Sequence, residues 1–119
     1  MLISRACFQA YVDGDRAVLD AVLAADLRFT SPLDHGIGLS TYLEICWPTH
    51  VDVVDFHFVR VIETGDTVLL TYEQTRSDGS VGRNTEVLTI RDGRIHVVEV
   101  YFGWSVPHPA AAGTHLEAR

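Results

Sequence analysis

Two places in this 119-residue sequence set acids where chemistry could use them. The first is Asp34-His35, between Pro32 and Gly36 in the stretch Phe29-Thr30-Ser31-Pro32-Leu33-Asp34-His35-Gly36. A carboxylate can orient an imidazole and stabilise its protonated form, so the pair has the residue types of an acid–base couple. Neighbours in an extended segment point opposite ways. The competing assignment is turn chemistry, with Asp34 accepting from nearby backbone amides and His35 in solvent. The second place is Glu86, within Thr85-Glu86-Val87-Leu88-Thr89-Ile90. A carboxyl on an apolar strand face is costly unless it is neutral or paired. Glu86 is therefore either an acid of raised pKa pointing into a pocket or one half of a salt bridge, with Arg28 as the partner.

Other chemistries lack their residues. The histidines are scattered, no HExxH or paired CxxC occurs, and no metal or other cofactor is expected. No glycine-rich phosphate loop and no GxSxG elbow is present. Cys46 and His50 are four apart with Pro48 between them, which is poor spacing for a nucleophile and its base. Cys7 and Cys46 read as free thiols, and the N-terminus lacks a signal-peptide pattern, so a cytoplasmic location is expected. No apolar run approaches the ~20 residues that span a bilayer. Net charge is −7, and all nine basic residues are arginines with no basic run. A phosphate-tracking groove is excluded, so neither nucleic acid nor membrane is an expected partner.

The elements that must position these groups change period halfway along the chain. Ile3, Cys7, Phe8 and Tyr11 recur at helical spacing, and Gly14 ends that helix. Asp15 can cap a second helix with Val18, Leu19, Val22 and Leu23 as its buried stripe. Leu27-Arg28-Phe29 reads as a short strand. Thr41 and Glu44 fit a capping box, which predicts a third helix over about 41–47, stopped by Pro48. Four strands follow, at about 53–62, 67–76, 83–91 and 94–104, separated by turns at 64–66, 77–79 and 92–93. Helices followed by an antiparallel meander make one α+β domain, with a core over about 3–106 and a tail over 107–119.

The last hairpin can be read in two registers. A two-residue Asp92-Gly93 turn sets Arg91 against Arg94 and Glu86 against Glu99, both like-charge pairs. A three-residue loop with Gly93 at the left-handed position instead sets Glu86 opposite Val98, Leu88 opposite His96 and Ile90 opposite Arg94. This second register is the expected one. It places Glu86, Leu88, Val98, Val100, Phe102 and Trp104 on one face, under the helices. The other face of the last strand, with Ile95, Val97, Glu99 and Tyr101, is still half apolar, which predicts burial against a second copy of the chain. His57 falls on that outer side, and His50 is expected in solvent.

Four stretches together resemble one family: Tyr11-Val12-Asp13-Gly14-Asp15, Phe29-Thr30-Ser31-Pro32, Arg91-Asp92-Gly93-Arg94-Ile95 and Val100-Tyr101-Phe102-Gly103-Trp104. The chain resembles the SnoaL-like branch of the nuclear-transport-factor-2-like superfamily, which includes polyketide cyclases and has ketosteroid isomerase as a relative. The resemblance implies a curved antiparallel sheet wrapped into a cone, three helices closing an apolar pocket, and a homodimer formed through the outer sheet face. Candidate ligand-lining residues are Tyr11, Phe29, Tyr42, Trp47, Leu88, Val100, Phe102 and Trp104, and candidate catalytic residues are Glu86, Asp34 and His35. Trp47 can be an aromatic wall or core; Phe102 and Trp104 can line the pocket or plug it. The isomerase mechanism needs an Asp base, a Tyr donor and a protonated Asp donor. By position these fall at Ser31, Cys7 and Glu86, and only the last keeps a carboxyl, so steroid isomerase activity is not expected. The expected function is binding of a small apolar carbonyl compound, with cofactor-independent isomerase, cyclase or dehydratase chemistry. The alternative is a non-catalytic ligand-binding or dimeric adaptor domain, since one superfold hosts many functions.

Overall fold

The computed structural model describes residues 2–117. Helix α1 (Leu2–Asp13) ends where Gly14 takes a φ of +65°. Asp15 then caps α2 (Arg16–Val22), its Oδ1 accepting from the Val18 amide at 3.2 Å. The chain turns at once into β1 (Leu23–Ser31) and folds back as the short β2 (Asp34–Ile37). Next come α3 (Leu39–Ile45) and a 3₁₀ helix over Trp47–Asp52. The long strands are β3 (Val53–Thr64), β4 (Thr67–Arg76), β5 (Val81–Arg91) and β6 (Arg94–Val106).

The six strands form one curved, unclosed sheet in the order β2-β1-β6-β5-β4-β3. The β3–β6 meander is antiparallel, and β1 pairs with β6 in parallel, so the sheet is mixed. The helices cover its concave side. Phe8 of α1 meets Phe56, Phe58 and Tyr72 edge-on, with ring centroids 4.8, 5.3 and 4.9 Å away. Such edge-to-face pairs stabilise beyond the area they bury. Leu19, Leu27, Leu70, Leu88 and Ile95 are the fully buried aliphatic centre.

Three local expectations are corrected. Helix α3 starts two residues early, capped by Gly38 with no side-chain bond, so Thr41 and Glu44 form no capping box. Pro48 does not end structure; it sits in the first turn of the 3₁₀ helix, where its missing N–H costs nothing. The last hairpin has the two-residue turn after all. Asp92 and Gly93 both take positive φ (53° and 74°), the geometry of a type I′ turn, and Arg91 faces Arg94. The like charges diverge: Arg91 reaches Asp66 at 3.6 Å, and Arg94 donates to the carbonyls of Asp20 and Leu23, each at 3.1 Å.

The one-residue offset lies further along β6. Ile90 pairs with Ile95 and Thr89 with Val97, so His96 is the extra residue of a bulge. Its ring bridges Asp26 Oδ1 (2.8 Å) and the Arg91 carbonyl (3.2 Å). Beyond the bulge Glu86 opposes Val100 and Leu88 opposes Val98, not Val98 and His96. Ile95 consequently turns inward and is fully buried, against the outward position expected for it.

Candidate functional site

Between the concave sheet face and the helices lies a cavity of about 540 Å³. Its apolar walls include Phe8, Phe29, Leu88, Ile95, Val98 and Val100. Its polar groups fall into three sets, each placed by a different pair of elements.

Glu86 and Tyr72 form the first set. On β4, Val68, Leu70 and Tyr72 alternate inward and are buried. Leu70 stands opposite Glu86 and Tyr72 opposite Asn84, so Tyr72 is the diagonal neighbour of Glu86. The Tyr72 hydroxyl donates to Glu86 Oε2 at 2.6 Å and accepts from Asn84 Nδ2 at 3.5 Å. Glu86 keeps a little accessible surface because it lines the cavity, but its surroundings are otherwise packed. Burial pushes its carboxyl up to about 7, against a smaller downward pull from the Tyr72 hydrogen bond. Arg28 plays no part, donating instead to the neighbouring Leu27 carbonyl at 2.9 Å.

Tyr11 of α1 and Tyr42 of α3 form the second set, their hydroxyls hydrogen-bonded to each other. Burial raises both phenols, and the Glu86 charge adds to the rise in each. Tyr11 packs edge-on against Trp47 at 4.9 Å, and Tyr42 lies 5.0 Å from the Phe29 ring. Two thiols share this region. Burial pushes Cys7 up to about 12, with a further rise from Glu86, and Cys46 up to about 11, with a further rise from Asp34. Both are protonated at neutral pH and are poor nucleophiles.

Ser31 and Asp34 form the third set, on the β1–β2 hairpin. The Ser31 hydroxyl donates to Asp34 Oδ2 at 2.9 Å and accepts from the Leu33 amide at 3.1 Å. Asp34 lines the cavity.

Of the candidates read from the sequence, Glu86, Asp34, Tyr11, Phe29, Tyr42, Leu88, Val100 and Phe102 line this one cavity. Three do not. His35 is exposed on β2, where alternation turns it away from Asp34. Trp47 is buried behind Tyr11, with His50 stacked on it at 4.3 Å, so it is core and His50 is not free in solvent. Trp104 lies past a second bulge, where Gly82 pairs with Ser105 and Asn84 with Phe102. The added residue takes Trp104 off Phe102's face and sets it near Arg83 and His108.

Tyr72, Asn84 and the pairing of Tyr11 with Tyr42 escaped the sequence reading. Removing the Tyr72 hydroxyl tests the first set directly. In Tyr72→Phe the one donor to the carboxylate among the described residues is gone, so the Glu86 pKa rises further above about 7. A carboxyl-labelled NMR titration showing the value unchanged or lower contradicts this account.

Among the described residues no group of three or more His, Cys, Asp or Glu side chains could hold a metal ion, and no helix is long and apolar enough to cross a membrane. No curated protein matches the chain in sequence. Solved structures match its fold. A Kribbella flavida protein superposes with a TM-score of 0.77 at 20% identity, covering 85% of this chain and 84% of its own. A proposed polyketide cyclase from Sinorhizobium meliloti gives 0.72 at 23%, covering 84% and 94%. A proposed ketosteroid isomerase from the same Kribbella gives 0.73 at 17%, covering 99% and 87%. The model of the SnoaL-like domain matches residues 4–98, most of the chain and nearly all of the elements that build the cavity. By that match and by its fold, the chain belongs to the SnoaL-like domain family.

Proposed function

We propose that the protein binds a small, mostly apolar carbonyl compound in this cavity and moves a proton on it without a cofactor, with Glu86 as the proton carrier. One observation carries the reading: a carboxyl set among apolar walls, held among the described residues by Tyr72 and brought to about 7. A group titrating there is populated in both forms at neutral pH and can take a proton and return it. Asp34, tied to Ser31 nearer the hairpin, is the second carboxylate the ligand would meet. The cyclase and isomerase assignments of the structural neighbours belong to those proteins and agree in reaction class.

The test uses 2,4-pentanedione as a generic enolisable probe in deuterated buffer, following loss of its methylene signal by NMR. Saturable, protein-dependent exchange that Glu86→Gln removes supports the proposal. Saturable binding with no exchange above buffer would leave a ligand-binding domain without chemistry.

We propose in addition that two copies pair through the outer sheet face. Ile62 and Tyr101 are half exposed there, on rows shared with Leu69, Val87, Thr71 and Thr85. Sedimentation equilibrium should return twice the 13.2 kDa chain mass, and Tyr101→Arg should return the monomer. A monomer at micromolar concentration in the unsubstituted protein rejects the pairing.

A further inference from the structure

The long edge of the sheet carries a pattern that reads the same in both directions. Among the described residues β3 has a strand neighbour on one side only, and it is 12 residues long against four for β2 at the opposite edge. Exposed edges are commonly defended by proline, lysine or shortness, and β3 has none of these. Against β4, the residues Asp55, Phe56, His57, Phe58 and Arg60 take successive ladder steps opposite Thr75, Gln74, Glu73, Tyr72 and Thr71. Val54 and Val59 are the extra residues of two bulges. Val53 and Val61, opposite Arg76 and Leu70, lie three steps either side of His57. About His57 the ladder therefore runs valine, acid, phenylalanine, histidine, phenylalanine, base, valine.

The two faces of the strand divide this pattern by chemistry. Tyr72 and Leu70 are core residues, so their partners Phe58 and Val61, with Phe56, lie on the concave side. Asp55, His57 and Arg60 lie on the outer side and are exposed. Among the described residues neither Asp55 nor Arg60 makes an ion pair or a side-chain hydrogen bond. The acid diagonal to Arg60 on β4 is Glu73, which Arg83 already holds at 2.5 Å. On the concave side a groove of about 510 Å³ lies between α1 and β3, lined by Phe8, Val12, Phe56 and Phe58. Arg5 also lines it, with its guanidinium 4.6 Å over the Phe58 ring. The edge thus offers unpaired backbone, two unpaired opposite charges and an open apolar groove.

We propose that β3 pairs edge to edge with β3 of a second copy of this chain, antiparallel, about a two-fold axis through His57. A contact of this symmetry needs a surface complementary to itself, and the palindrome supplies one. On the outer side Asp55 faces the partner's Arg60, and Arg60 faces the partner's Asp55. On the concave side Phe56 faces the partner's Phe58 and the reverse, which brings two more rings to the groove under α1. His57 faces its own copy, where one neutral imidazole donates and the other accepts. This register sets both charges against opposites and both rings against rings. The bulges confine regular pairing to the few steps between them, and a contact of that size is weak. It therefore leaves sedimentation at micromolar concentration unchanged and forms where the protein is concentrated. It uses the edge of the sheet, so it stands apart from the pairing through Tyr101 and from the chemistry of the cavity.

Disulfide trapping in the Tyr101→Arg protein, at submillimolar concentration and pH 8, tests the edge with the outer-face pairing removed. His57 is the residue on the axis, so His57→Cys should link to its own copy on oxidation, since facing strand residues lie within disulfide reach. Ile62→Cys, four ladder steps from the axis, would stand about 26 Å from its own copy and should not link. The protein with His57 in place sets the background from Cys7 and Cys46. Adding Asp55→Arg to His57→Cys sets like charges against each other at both ends and should slow linking about tenfold. Adding Arg60→Asp as well restores opposite charges and should restore the rate. Positions 55, 57, 60 and 62 are all exposed, so the variants should keep the thermal transition of the Tyr101→Arg protein. Three results overturn the proposal: no linking of His57→Cys above background, linking of Ile62→Cys at the same rate, or a rate that ignores the two charge reversals.

Discussion

Glu86→Gln is expected to be more stable than the unsubstituted protein at pH 8 and to lack the proton-transfer activity proposed above. Both effects have one cause. Folding carries the carboxyl from water into the cavity wall, where among the described residues only the Tyr72 hydroxyl answers its charge. The folded-state pKa is raised from 4.5 to about 7, so the folded chain holds this proton more tightly than the unfolded chain does. Its contribution to stability is present in full below about 4.5 and is lost as pH rises through about 7. A shift of this size corresponds to up to about 3 kcal/mol, a ceiling because cavity water reaches part of the side chain.

Glutamine keeps the size and the acceptor oxygen for Tyr72 but has no proton to lose. The stability difference between the two proteins should therefore open between pH 4.5 and about 7 and stay constant above that. Urea unfolding at half-unit pH steps measures it, and using the difference cancels the other carboxylates, Asp78 included. A flat difference across that range means Glu86 titrates like a free glutamate. Exchange activity should fall by about 100-fold or more, the usual weight of a positioned acid–base group. Stability gained together with activity lost would be the ordinary trade-off of a functional pocket.

The long strands were legible because each has one face on the core and one on solvent, which writes a period of two into the sequence. β3 to β6 accordingly begin and end within two residues of the reading. β1 and β2 were not. β1 runs Leu-Ala-Ala-Asp-Leu before any alternation, because its pairing is parallel to β6 and partly broken, and β2 is four residues on the sheet edge. The hairpin register was missed for a different reason. Two facing arginines were counted as a cost, but long side chains on a turn can part and find separate acceptors.

In the site, Glu86 was visible as one acid among apolar residues. Its partner Tyr72 needed the β4–β5 register, although the run Val68, Leu70, Tyr72 already marked it as inward. The tyrosine pair left no local sign at all: Tyr11 and Tyr42 are 31 residues apart on different helices. Carrying isomerase positions across pointed to Cys7 and Ser31, whereas the phenols here come from the next turn of α1 and from α3.

Gly103 is the position where a single methyl group should do most harm. It lies at the second β5–β6 bulge, and a Cβ built on it would sit 2.3 Å from the Arg83 carbonyl oxygen and 3.2 Å from its carbon. Both are backbone atoms of the paired strand, so no rotamer change relieves the clash and the strands must part. Gly103→Ala should cost about 2–4 kcal/mol, in the range of backbone-displacing overpacking. Gly82 is the built-in comparison: it borders the same bulge, a Cβ there meets nothing within 4 Å, and its φ is not in the left-handed region. Gly82→Ala should be neutral or stabilise by about 0.5 kcal/mol, through the unfolded chain. The harm at Gly103 should also reach the site. Asn84 accepts from the Gly103 amide at 3.4 Å and donates to Tyr72, which in turn holds Glu86. Parting the strands moves Asn84 and loosens that chain. Chemical denaturation of the two alanine variants side by side decides the matter: equal stabilities would show that the close approach at Gly103 is not what sets the bulge.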